Sequence, residues 1–167
     1  FWAVDLPNAW QIGLQVGAED QAFGIVVTNT AADDAMVEVF AGNQGTPLQS
    51  ATIAPGALRV FSFGNSLGVD PHGNSESIAY RIESDRPVTA YQYNPLDNGT
   101  PVYSNDASLL FPTHVLDLDY TAITGDALWL TTANGGAFVT AVATEDDTFV
   151  TFYPPAGVPM YPGNNVA

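Results

Sequence analysis

Ile78-Ala79-Tyr80-Arg81-Ile82-Glu83-Ser84-Asp85-Arg86-Pro87-Val88-Thr89-Ala90-Tyr91-Gln92-Tyr93 is the stretch that decides the fold. Its first half alternates: Ile78, Tyr80 and Ile82 share one face of an extended chain, and Ala79, Arg81 and Glu83 share the other. A period of two with one apolar and one polar face is the pattern of an antiparallel sheet that is wet on one side. Ser84 to Pro87 then breaks the run, because Asp and Ser side chains bond nearby backbone and Pro presets φ. A second strand follows, with Tyr91 and Tyr93 on one face and Val88 and Ala90 on the opposite one.

The same grammar extends in both directions. Short runs rich in Val, Ile, Thr, Phe and Tyr, bounded by Gly, Pro, Asn and Asp, predict strands at 23–29, 35–41, 49–53, 58–63, 107–111, 119–124, 127–132, 137–143 and 148–153, with shorter ones at 2–6 and 11–16. Acidic turns sit between strands at Asp33-Asp34 and Glu145-Asp146-Asp147. The 15 Gly and 12 Pro are spread so evenly that no helical period survives. The expected fold is all-β, with antiparallel β-sandwich modules of immunoglobulin-like character in tandem. The alternative is a set of β-propeller blades, because hairpins starting near 22, 78 and 137 are almost evenly spaced. The expected boundaries are an N-terminal strand segment at 1–21, a first sandwich module at 22–103, bridging strands at 104–135 and the start of a second, incomplete module at 136–167.

Composition narrows the function classes. Of 167 residues 13% are charged, and 18 acids face 3 bases, all Arg (Arg59, Arg81 and Arg86), for a formal charge of −15. Nucleic acid is excluded as a partner, since phosphate neutralisation needs Lys and Arg. Anionic membrane surfaces are disfavoured for the same reason, and no apolar run reaches the ~18 residues of a membrane helix. Disorder does not fit a chain with 9 Phe, 7 Tyr and 3 Trp. Cys is absent, which removes disulfides, thiolate metal sites and Cys nucleophiles.

The chain also repeats itself. Phe23-Gly-Ile-Val-Val-Thr-Asn-Thr-Ala-Ala-Asp-Asp-Ala-Met-Val-Glu-Val-Phe40 parallels Phe138-Val-Thr-Ala-Val-Ala-Thr-Glu-Asp-Asp-Thr-Phe-Val-Thr-Phe-Tyr153: strand, acidic turn, strand. Two more strands follow the first copy, so the second reads as incomplete. The apolar start Phe1-Trp2-Ala3-Val4 and the Pro/Gly-rich close read as a chain cut from something longer. Residues 1–6 are expected to pair with a sheet edge, and Ile25, Val27, Val37, Val39, Val60, Ile82, Val88, Leu110, Val139 and Val150 to be buried.

The run Ala79–Pro95, then Ser104-Asn105-Asp106-Ala107-Ser108-Leu109-Leu110-Phe111-Pro112, then Ala143-Thr144-Glu145-Asp146-Asp147-Thr148 resembles the amino-terminal domain of the IgGFc-binding protein family, in its bacterial secreted or surface type. The likeness covers about residues 20–155, and Phe111 stands where the family usually has Leu. The resemblance implies an extracellular or cell-surface module, secreted, that binds or adheres. It carries no catalytic residues to this sequence.

Chemistry-bearing residues are sparse. His72 and His114 lie in turn-like sequence, and neither a G-x-S-x-G nor an H-E-x-x-H motif is present, so a hydrolase is the least favoured reading. Calcium is the one cofactor the acids allow. Asp117 and Asp119 are the candidate ligands, because their spacing by two puts both carboxylates on one face. Solvated turns are the plainer reading of that pair, and of Asp33/Asp34 and Glu145/Asp146/Asp147. Asn105 and Asp106 read as a turn that sets up the strand after it, and the Arg residues as local partners of Glu83 and Asp85. Asn98-Gly99-Thr100 has the form of a glycosylation sequon. Trp2, Trp10 and Trp129 are the aromatics able to stack on sugar, although Trp129 alternates with Leu128 and Leu130 as a sheet residue does. The expected function is a non-catalytic binding or adhesion module whose partner is a protein or glycan surface or copies of itself; the alternative is a structural subunit of a surface assembly or filament.

Overall fold

The computed structural model describes residues 1–6, 10–11, 16–17, 22–65, 79–96, 106–124, 128–130, 133–135 and 139–158. Its strands are β1 (Trp2–Val4), β2 (Trp10–Gln11), β3 (Val16–Gly17), β4 (Ala22–Asn29), β5 (Ala35–Ala41), β6 (Gln49–Ile53), β7 (Leu58–Asn65), β8 (Ala79–Ser84), β9 (Val88–Asn94), β10 (Asp106–Leu109), β11 (Leu128–Leu130) and β12 (Ala133–Gly135). Two four-stranded antiparallel sheets form, in the orders β1-β8-β5-β6 and β10-β9-β4-β7, and β2–β3 and β11–β12 make two small ladders. The all-β sandwich is thus as expected, and the propeller is excluded by the connections. A propeller blade is a meander within one sheet. Here β4 and β5 lie in different sheets, and so do β8 and β9. These two strand–turn–strand units are therefore arches that cross the core, whereas β5 and β6 pair as a hairpin within one sheet.

Alternation builds that core. Phe23, Ile25 and Val27 of β4, Val37 and Val39 of β5, Ile53 of β6, Phe61 of β7, Tyr80 and Ile82 of β8 and Ala90 of β9 all point inward and are buried. Tyr80 joins the sheets, its ring stacked at 5.3 Å on Phe23 and 4.4 Å on Phe63. The N-terminal segment completes the first sheet, with Trp2, Ala3 and Val4 opposite Arg81, Tyr80 and Ala79. It is also tied to the second sheet: the Val4 N–H donates to Gln92 Oε1 at 3.0 Å, and Asn94 Nδ2 donates to the Leu6 carbonyl. Leu110 follows β10 into the core margin, its N–H bonded to the Ala90 carbonyl at 2.9 Å.

Several core expectations need correction. Val60 is 39% exposed, because Phe61 and Phe63 take the inward parity of β7 and Val60 points out. Val88 is half-buried at the start of β9. Val139 and Val150 are 41% and 51% exposed. Residues 119–124, 139–143 and 148–153, expected as strands, make no ladder. Alternation supplies a face, but a strand also needs a paired neighbour to satisfy its N–H and C=O groups, and these residues pair with none. Residues 137 and 138 lie outside the described residues, as do 12–15, 127, 131 and 132.

Candidate functional site

The sandwich has two unlike outer faces. On the β1-β8-β5-β6 sheet the outward residues include three charges, Arg81, Glu38 and Glu83, among Trp2, Val4, Met36 and Phe40. Arg81 lies in one row with Phe40 and Trp2. Its guanidinium sits 4.2 Å from the Phe40 ring centroid, pairs with the Glu83 carboxylate, and donates from Nη2 to the Gln44 carbonyl at 3.1 Å. Glu38 and Glu83 stand opposite each other in the next register position. Arg81 covers Phe40, which is 5% exposed, and charges interrupt the apolar residues of this face.

The outer face of the β10-β9-β4-β7 sheet differs. Register places Leu109 opposite Tyr91, Tyr91 opposite Val26 and Val26 opposite Val60, giving one apolar row across all four strands. At about 4.8 Å per strand the row is roughly 14 Å long. Leu109 is 47% exposed, Val60 39% and Tyr91 37%. On one side run Thr89, Thr28 and Leu58, and on the other Ala107, Tyr93, Gly24 and Ser62. No residue of these three rows is charged. Arg59 belongs to the other parity of β7, opposite Val27. Leu96 folds back over the face at Gly24: its N–H bonds the Ala22 carbonyl at 2.7 Å, and a Cβ at Gly24 would come within 2.5 Å of Leu96 Cδ1 and 2.8 Å of its Cβ. The site is thus a flat, uncharged sheet face with Leu96 fixed at one margin.

The residues singled out for chemistry do not converge. Asp117 and Asp119 lie in the exposed segment after the 3-10 turn Thr113–Val115. Asp117 Oδ1 accepts the Leu118 N–H at 2.7 Å, and the Asp117 N–H donates to the Tyr120 hydroxyl at 2.8 Å. No group of three or more His, Cys, Asp or Glu able to hold a metal occurs among the described residues. His114 is exposed in that turn. His72, Asn98 and Asn105 lie outside the described residues, and Asp106 opens β10 opposite Asn94. Trp2, Trp10 and Trp129 stand on three separate ladders. Asp33 and Asp34 are exposed in the β4–β5 arch.

The run Asp106–Leu109 now has a place: it is the edge strand that opens the uncharged face, and Leu110 anchors it. Residues 106–167 match the IgGFc binding protein family. The resemblance read from the sequence is borne out over that stretch. The IgGFc binding protein match begins at the first residue of β10, so the matched region contributes the edge of the candidate site and the remaining strands come from residues 22–94. No curated protein and no solved structure matches the chain. No described helix is long and apolar enough to cross a membrane. Sequence reasoning missed this face because its row joins residues from four strands. Alternation set Val26, Tyr91 and Leu109 apart from the inward residues beside them but put Val60 in the core, and only pairing aligns the four.

Proposed function

We propose that the chain is a non-catalytic, extracellular protein-binding module that docks its partner on the outer face of the β10-β9-β4-β7 sheet. The observation that carries this reading is the Leu109–Tyr91–Val26–Val60 row, with no charge beside it, in a chain of net charge −15. Exposed apolar patches of this kind mark interaction sites, and interface centres are poor in charge and rich in Tyr. A partner surface that is apolar and neutral, or basic at its rim, fits best. The family description names the Fc part of IgG, so Fc is the first probe. Fc binding to the immobilised chain is expected to weaken at least about tenfold in Tyr91→Glu and Val60→Glu, a loss typical of a contact at an interface centre, with melting unchanged. An Fc signal that ignores both substitutions, or no Fc binding at all, overturns the proposal.

A further inference from the structure

Gly24 stands in the interior of the eight-residue strand β4, where the lack of a side chain weakens a sheet unless another group approaches closely. Its neighbours Phe23 and Ile25 are buried in the core, so position 24 faces outward, between Tyr93 of β9 and Ser62 of β7. It is buried all the same, because Leu96 occupies the space that a side chain would fill. A Cβ at Gly24 would meet Leu96 Cδ1 at 2.5 Å, Cβ at 2.8 Å and Cγ at 2.9 Å. Leu96 Cβ belongs to the stem of the side chain, so turning the tip does not relieve that contact. The backbone is held as well: the Leu96 N–H bonds the Ala22 carbonyl at 2.7 Å, and Pro95 before it is fully buried. Leu96 itself stays half-buried. Val26, of the Leu109–Tyr91–Val26–Val60 row, is two residues further along β4, about 7 Å away. The second row of the face therefore carries an apolar side chain that its own strands do not supply.

Resting on the docking reading above, we propose that Leu96 is a specificity-determining contact of that face and that Gly24 is the residue that positions it. The Leu109–Tyr91–Val26–Val60 row offers apolar area, and burial of such area is non-directional. Leu96 adds shape. It is seated on Gly24 beside the row, with half of its surface still to be covered, so the partner that fits is a protein surface with an uncharged, apolar hollow at that point. A partner with a bulky or charged group there meets a side chain that cannot retreat, and such a clash discriminates as effectively as an attraction does. The seat and the bond to Ala22 also fix Leu96 before a partner arrives, so little of its freedom remains to be lost on binding. A side chain at position 24 would fill the seat and displace Leu96 from the face.

The test is Fc binding to the immobilised full chain, with a circular dichroism melt showing that each variant is folded at the assay temperature. Leu96→Ala should weaken binding at least about fivefold, the mark of a contact that matters at an interface. Leu96→Met, which conserves volume, should stay within about twofold of the wild type. Gly24→Ala should weaken binding as Leu96→Ala does, but by less than about twofold in a chain that already carries Leu96→Ala, because its effect passes through Leu96. In Gly24→Ala the Leu96 amide should also exchange with solvent faster, while the amides of β5 and β8 keep their protection. Fc binding that falls in Tyr91→Glu but survives Leu96→Ala overturns the role of Leu96 and leaves the docking reading standing. Equal losses from Gly24→Ala in the two backgrounds, or an unchanged Leu96 amide, overturn the positioning role of Gly24. Fc binding that is absent, or that ignores Tyr91→Glu, overturns the docking reading and the role of Leu96 with it.

Discussion

The Asp85 carboxylate accepts the Met36 N–H at 2.8 Å, and the Asp85 N–H returns a bond to the Met36 carbonyl at 3.3 Å. This reciprocal pair fastens the arch between β8 and β9 to the start of β5, in which lies the far end of the other arch. Ser84-Asp85-Arg86-Pro87 therefore acts as a structural clasp. Within it the Arg86 side chain reaches Asp85 and the Arg86 N–H donates to Ser84 Oγ at 3.3 Å. Replacing Asp85 with Ala should cost about 0.5–1.5 kcal/mol, the net value of such a bond at a partly exposed site. Asp85→Asn, which keeps the acceptor oxygen, should cost less. Denaturant melts of the two variants check this.

Asn29 holds the same end of the sandwich from inside. It is fully buried, its Nδ2 donates to the Asp33 and Ile53 carbonyls at 2.8 Å each, and its Oδ1 accepts the Ala31 N–H at 2.8 Å. Asn29→Ala strands the buried Ile53 carbonyl at the end of β6 and removes the partner of the part-buried Asp33 carbonyl in the β4–β5 arch. A loss of about 2–4 kcal/mol is expected, larger than for Asp85→Ala, because groups left unsatisfied in the interior bear their full desolvation cost. Equal losses at the two positions would contradict this ordering.

Three valines separate core from surface. Val39 is fully buried between the sheets, whereas Val60 and Val150 point to solvent. Val39→Ala should cost about 1–3 kcal/mol. Val60→Ala and Val150→Ala should stay within about 0.5 kcal/mol, as surface changes do.

Tyr80 predicts a response to alkali. Burial, and secondarily the Asp5 carboxylate, raise its hydroxyl above the usual pKa of 10.0. The folded state therefore keeps its proton when the unfolded chain has begun to lose it. The resulting stability is present in full below pH 10 and is lost as pH rises through the folded value. Above pH 10 the wild type should destabilise more steeply than Tyr80→Phe, which keeps the stack with Phe23 and Phe63. Parallel pH profiles for the two would refute the assignment.

Divalent cations should raise the melting temperature by relieving the self-repulsion of a −15 chain. Calcium and magnesium are expected to act alike, because Asp117 and Asp119 gather no third acid among the described residues. A calcium effect that exceeds magnesium and disappears in Asp117→Asn or Asp119→Asn would instead establish that pair as a calcium site.

The sequence by itself determined the strand class and the identity of most core residues. Alternation in Ile78–Tyr93 and Phe23–Phe40 is a local property of the extended chain, since side chains at i and i+2 must share a face. The expected pairing of residues 1–6 with a sheet edge was legible for the same reason: Ala3, buried between Trp2 and Val4, faces Tyr80. Tertiary structure alone decided whether a turn joins two strands of one sheet or crosses to the other. Ser84–Pro87 and Thr30–Asp34 cross, and their composition is that of any tight turn. It also decided the register that aligns Leu109, Tyr91, Val26 and Val60 into one row. The same physics explains the strands that did not form at 119–124 and 148–153. Their side-chain pattern is that of a strand, but a strand exists only where another chain segment meets its N–H and C=O groups, and that meeting is not written in the local sequence.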